Sequence, residues 1–166
     1  MKLSRLEIGI FQYEISETRY SKIINKAVGQ AYPKAENKNI RICVSTEPDY
    51  QVRLDEKWVV EAAYNIIDNA IKYSDCGTSI YIEAFSYEIF SGIRIRDEGM
   101  GIEEIEIPLL FGRFYRGKSV HDKEGIGVGL YLVRKIVEEN GGYIKVKSKP
   151  GQGSTFELCF PNVSSL

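Results

Sequence analysis

The stretch from Glu56 to Tyr73 constrains the fold more than any other. Val59, Val60, Ala63, Ile66, Ile67 and Ala70 recur there at three- and four-residue spacing, which lays one apolar stripe along a helix. Such a helix must bury its stripe against a second layer. Two more segments make the same demand. One runs from about Thr18 to Asn37, with Ile23, Ile24, Ala27 and Val28 facing inward; Pro33 is expected to end or kink it. The other starts near Ile126, puts Leu130, Val133, Ile136 and Val137 on one face, and stops at Gly141 and Gly142, where a helix C-terminus favours glycine. The partner layer is visible in short runs rich in Ile, Val, Tyr and Phe: "EIGIFQYEI", "IRICVS", "SIYIEAFSYE", "FSGIRIRD", "YIKVKS" and "TFELCF". Their frequent alternation predicts strands. Strands in blocks, broken by a few helices without a regular βαβα rhythm, predict an α+β sandwich with the helices on one face of a mixed sheet.

Bulk properties narrow the function classes. A chain of 166 residues, 43% hydrophobic, suits one domain with one core. The formal net charge of −1 provides no basic field for nucleic acid or an anionic membrane. Cys43, Cys76 and Cys159 are odd in number and have no CxxC spacing, and His121 is the single histidine. Reduced thiols are expected rather than a disulfide framework or a Cys/His metal site. No run approaches the roughly 20 apolar residues of a membrane helix. The start, "MKLSRLEIGIFQYE", lacks a signal-peptide apolar block. A cytosolic chain is expected, and composition leaves open that it is part of a longer protein.

Four places could carry chemistry. On the second helix, Glu61, Asn65, Asn69 and Lys72 are spaced four, four and three, forming one polar stripe beside the apolar face. A stripe selected only for solvation would favour Glu, Lys and Arg over asparagine, which is a poorer helix former. In "RIRDEGMGI", a strand delivers Asp97, and Gly99 and Gly101 permit close backbone approach. A carboxylate there suits an amino group on a flat ring; taken alone, the stretch also reads as an Asp-Gly turn. "GIGVGL", residues 125 to 130, opens the third helix, and its exposed N–H groups suit phosphate. It has neither Rossmann nor Walker spacing. "GQGSTFEL" is a glycine turn with hydroxyls before a strand, and by itself equally a hairpin entry. Between Ile102 and Gly125, "FGRFYRGKSVHDKEG" mixes aromatics, basic residues and glycines in a segment too long for a plain connection.

The order of these stretches is specific. It resembles the ATP-binding catalytic domain of bacterial sensor histidine kinases, in the superfamily shared with DNA gyrase, mismatch-repair ATPases and a heat-shock chaperone. "NIIDNAIKYS" matches the N box, "DEGMGI" the first glycine box, "FGRFYR" the F box, "GIGVGL" the second glycine box and "GQGSTF" the last, together spanning roughly Arg41 to Pro161. The resemblance implies a Bergerat-type fold with a flexible ATP lid at about 108–126 in a single domain over 1–166, its core at about 16–161.

Site residues follow by match to those boxes. Asn69 is expected to bind the Mg2+ that bridges the nucleotide phosphates, a role suited to an amide oxygen beside a triphosphate. Asn65 is expected to face the phosphates or the metal shell. Lys72 would contact phosphate, and Tyr73 would pack against the adenosine. Asp97 would accept the adenine amine, with Gly99, Gly101 and Ile102 lining that pocket. Gly125, Gly127 and Gly129 would let the lid fold over the phosphates, with Leu130 closing the box. Arg116, with Arg113 or Lys118 beside it, would meet the γ-phosphate. Ser154 stands where a hydroxyl supports the adenine site. Two departures stand out: Ile126 and Val128 replace the more usual Thr and Leu, and Gly112 replaces a frequent acidic residue.

ATP-hydrolysing members of the superfamily carry Glu where this chain has Asn65, and an amide cannot act as a general base. The resemblance therefore implies a kinase: the γ-phosphoryl goes to a protein histidine and not to water. No acceptor-histidine motif such as HExRTP is present, and His121 reads as a loop residue within the lid. The expected partners are a histidine-bearing dimerisation domain and, indirectly, a response regulator. The isolated domain is expected to be monomeric and unable to label itself, and the parent kinase to be membrane-anchored. A degenerate nucleotide-binding or interaction module and a serine-directed kinase of the anti-sigma type stay open as other readings.

Overall fold

A computed structural model describes residues 12–112 and 129–162. Elements run β1 (Ser16–Arg19), α1 (Tyr20–Asn37), β2 (Arg41–Ser45), β3 (Gln51–Leu54), α2 (Glu56–Lys72), β4 (Ser79–Ser86), β5 (Phe90–Asp97), a 3-10 turn (Glu104–Leu109), α3 (Gly129–Glu139), β6 (Tyr143–Lys149) and β7 (Gly153–Pro161). Five strands form a sheet in the order β2-β4-β5-β7-β6. The β2–β4 pair is parallel and the other neighbours are antiparallel, so the sheet is mixed. β1 and β3 form a separate antiparallel ribbon.

Period-two patterning explains which face is covered. Ile80 and Ile82 on β4, Ile93 and Ile95 on β5, and Leu158 and Phe160 on β7 are buried in one cluster with the apolar stripes of all three helices. The alternate residues point the other way and mix charged side chains with an aromatic cluster of Phe85, Tyr87, Phe90 and Tyr143. Arg94 bridges Glu83 and Glu157 across three strands, and Arg96 stacks over the Tyr81 ring at 4.2 Å. The helices pack on the aliphatic face, where the core cluster lies. This is the α+β two-layer sandwich expected from the sequence.

α2 is pinned at both ends, which fixes what its C-terminus presents. Asp55 caps it by accepting from Trp58 N at 3.1 Å, and the same carboxylate accepts from Glu14 N at 2.7 Å. At the other end, Lys38 Nζ donates to the carbonyls of Ile71 and Lys72 at 2.8 and 2.9 Å, placing a cation where the helix dipole favours one.

The N-terminal elements differ from expectation in detail. α1 starts at Tyr20 and runs through Pro33 to Asn37, the bound expected from the sequence. Gly29, whose carbonyl loses its bond to Pro33, is exposed like Pro33 itself, so water can satisfy that group. Beyond it, buried Ala35 holds the last turn to the core. The first strand is Ser16–Arg19 rather than "EIGIFQYEI": Gln12–Ile15 are not strand, and residues 7–11 lie outside the described residues. β3 carried no signal strong enough to single out. Both ribbon strands are four residues long and owe their conformation to each other.

Candidate functional site

Four segments meet at one edge of the α2 C-terminus. Asp97 ends β5, and its Oδ1 accepts from Gly99 N at 2.8 Å and Ser154 N at 3.2 Å. Among the described residues Oδ2 has no hydrogen-bond partner. Burial pushes the carboxyl above the usual Asp range, against the opposing pull of those two N–H groups and of Arg96. The result is a fixed, half-buried carboxylate with one oxygen spare.

The glycines of this loop are dictated by contact. Gly101 has φ +74°, and a β-carbon on it would lie 1.9 Å from the Lys149 carbonyl oxygen. No side chain fits, because Gly151 N donates to Met100 O at 2.7 Å and holds the β6–β7 turn against the loop. Gly99 differs. A β-carbon there would lie 2.7 Å from Tyr73 O, 3.0 Å from Asp97 Oδ1 and 3.1 Å from Ser74 Oγ. Its absence leaves a notch walled by three oxygens. Tyr73, the C-cap of α2, forms the notch floor with its carbonyl, which accepts from Met100 N at 3.2 Å.

Hydroxyls brace the same pocket. Ile102 N donates to Ser148 Oγ at 2.8 Å, Ser148 Oγ donates to Gly153 O at 2.9 Å, and the Ser148 and Ser154 hydroxyls are 2.7 Å apart. Ser154 is therefore brought beside Asp97, as expected, while Ile102 packs partly buried against the core.

Along α2, Asn65 donates from Nδ2 to Glu61 O at 2.9 Å. Its Oδ1 faces α3, where a β-carbon on Gly129 would stand 3.5 Å away. Leu130 packs against the core from the same turn. Asn69 is half-buried, and its side chain makes no hydrogen bond among the described residues. Lys72 Nζ lies 3.2 Å from Asp68 Oδ2, while Lys34 from α1 lies 3.0 Å from Asp68 Oδ1. Arg113, Arg116, Lys118, His121, Gly125, Ile126, Gly127 and Val128 lie outside the described residues. The first part of the expected lid, to Leu109, is the 3-10 turn, followed by buried Leu110.

Three residues at the site escaped sequence reasoning. Asp68 is only 8% exposed between two lysines, Ser74 is 3% exposed, and Ser148 joins three groups. Asp68 stands next to Asn69 and one turn before Lys72, and that spacing was a usable signal. Ser74 and Ser148 depend on contacts between distant segments.

Residues 54–164 match the model of the histidine kinase-, DNA gyrase B-, and HSP90-like ATPase family. The chain belongs to that family. It is 31% identical over 163 residues to a sensor-like histidine kinase, SenX3, of Mycolicibacterium smegmatis, covering 97% of this chain and 42% of that protein. It is 30% identical over 165 residues to the sensor histidine kinase GraS of Staphylococcus haemolyticus, covering 99% of this chain and 48% of the relative. The chain thus spans less than half the length of these two relatives. Among solved structures, the catalytic domain of histidine kinase ThkA superposes with a TM-score of 0.78 at 24% identity, covering 90% of this chain and 98% of that one. A full-length ShkA in complex with AMPPNP gives 0.84 at 21% identity, covering 95% of this chain and 33% of that one. At such identities the structures establish the fold, while the family model and the curated relatives establish this as the ATPase domain of histidine kinase type. Among the described residues no helix is long and apolar enough to cross a membrane.

Proposed function

We propose that this domain binds Mg-ATP at the Asp97–Asn69 edge and transfers the γ-phosphoryl to a histidine on a dimerisation domain supplied by a longer kinase or by a partner chain, within a two-component signalling system. The observation that carries the nucleotide half is Asp97. Its Oδ1 is locked by two backbone N–H groups, which leaves Oδ2 to accept one amino hydrogen in a fixed direction. Gly99 and Gly101 let the loop close onto Tyr73 O and Lys149 O, which fixes the direction of that carboxylate. This pattern favours adenine, whose edge presents an amine, over guanine, whose edge presents a carbonyl there.

The phosphate end follows α2. Asn69 offers a half-buried amide oxygen with no hydrogen-bond partner among the described residues, which fits a magnesium ligand. Among the described residues no trio of His, Cys, Asp or Glu converges on a metal site, so a magnesium ion here would lean on nucleotide phosphate oxygens and water. When bound, that ion neutralises the developing phosphate charge. Lys72, tethered to Asp68, supplies a cation one turn from Asn69; Arg116, outside the described residues, would supply a second. Gly129 closes against Asn65.

Asn65 carries the kinase half. Its amide is committed to Glu61 O and has no basic lone pair to take a proton from water. The transfer would therefore wait for an imidazole nitrogen to attack the γ-phosphorus, breaking the bond to the bridging oxygen and releasing ADP. Isothermal titration with ATP and GTP, with Asp97→Asn as control, tests the nucleotide half. Preference for ATP that disappears in the variant is expected; equal binding of both nucleotides by the wild type would overturn it.

A further inference from the structure

We propose that the Ser74 hydroxyl is the hydrogen-bond donor that reads the purine ring nitrogen beside the amino group, making Ser74 a specificity-determining residue of this site. The inference rests on the nucleotide reading above. Ser74 is 3% exposed, and its Oγ is buried without a hydrogen-bond partner among the described residues. A hydroxyl in that state is costly unless a water or ligand satisfies it. It lies in the notch over Gly99, where the position a β-carbon would take is 3.1 Å from Ser74 Oγ and 3.0 Å from Asp97 Oδ1. Thus the unsatisfied hydroxyl and the Asp97 carboxylate border the same small space.

Proton accounting singles out Ser74 over Ser154. Ser148 Oγ accepts from Ile102 N and donates its one proton to Gly153 O. The 2.7 Å contact between the two hydroxyls is then satisfied only if Ser154 donates to Ser148. Ser154 has no proton left for a ligand and can only accept. Asp97, ionised, also only accepts. An adenine edge presents an amine donor next to a ring-nitrogen acceptor, so Asp97 takes the first and cannot take the second. Ser74 has the free proton, delivered directly or through one ordered water in the notch. Guanine presents the reverse pattern, with N–H at that ring position, and would leave Asp97 facing a carbonyl oxygen.

The test pairs a residue change with a ligand change: calorimetric titration of wild type and Ser74→Ala with ATP and with a deaza analogue of ATP whose ring N1 is a C–H. Wild type should bind the analogue about five- to tenfold more weakly than ATP. Ser74→Ala should bind ATP about as weakly as wild type binds the analogue, and should lose little more when given the analogue. Its melting temperature should be no lower than wild type, since an unsatisfied hydroxyl is removed. Ser154→Ala should still distinguish the two nucleotides. Equal affinity of wild type for ATP and the analogue would overturn the proposal without needing any variant. So would a Ser74→Ala loss that is the same size for both nucleotides. If wild type binds neither nucleotide, the nucleotide reading falls with it; if wild type binds ATP and only the coupling is missing, this inference alone falls.

Discussion

Asp97 pays for its position with stability. Burial raises its carboxyl above the ordinary value, so the folded chain holds that proton more tightly than the unfolded chain does. The favourable contribution is complete below the unfolded pKa and is lost as pH rises through the raised folded one. At neutral pH the buried charge therefore weakens the fold. Asp97→Asn keeps an oxygen for Gly99 N and Ser154 N and removes the charge. Thermal melting should show a variant at least as stable as wild type at pH 7, and titration should show ATP affinity reduced at least about tenfold. A less stable variant with unchanged ATP affinity would contradict both roles. For the same reason wild-type ATP affinity should weaken on acidification, beginning at a higher pH than an unburied Asp would give. Asn69 makes a separate prediction. Asn69→Ala should keep the fold and lose about tenfold of the magnesium-dependent part of ATP binding, read as the affinity difference with and without chelator. An undiminished magnesium dependence would return α2 to a merely solvated face.

At the scale of elements, the pocket exists because the β6–β7 turn, the β5 end and the α2 C-cap are stapled together. Gly101→Ala would add a β-carbon 1.9 Å from Lys149 O at φ +74°. It should cost more than about 2 kcal/mol in urea unfolding, and a neutral result would mean that the turn can move away. Elements were legible in the sequence where side-chain periodicity decides them. α2 was expected over Glu56–Tyr73 and is Glu56–Lys72, while β4, β5 and β7 bury the alternation seen in their runs. The β1–β3 ribbon was not legible because "SETR" and "QVRL" are short and acquire strand geometry from cross-pairing. Pro33 lies on an exposed face of α1, and the helix expected to Asn37 continues past it with Ala35 buried. Motif order singled out Asp97 and the α2 amides, and the structure shows where they lie. That order did not single out Ser74 or Ser148, whose contacts join segments distant in the sequence.

For the whole molecule, the family assignment and the sheet-on-helices architecture agree. The chemistry turns on where the γ-phosphoryl goes. Under the proposed function, Asn65, bonded to Glu61 O, offers no base for water, so a bound triphosphate would keep its γ-phosphoryl until a histidine is presented. The decisive measurement is incubation of this chain with γ-labelled ATP and magnesium, with and without a histidine-bearing helical hairpin from a sensor kinase, following label on each polypeptide and free phosphate together. Acid-labile label on the hairpin, none on this chain and little free phosphate is the predicted result. Label on this chain itself, or steady phosphate release at the rate of ATP-hydrolysing family members, would contradict it.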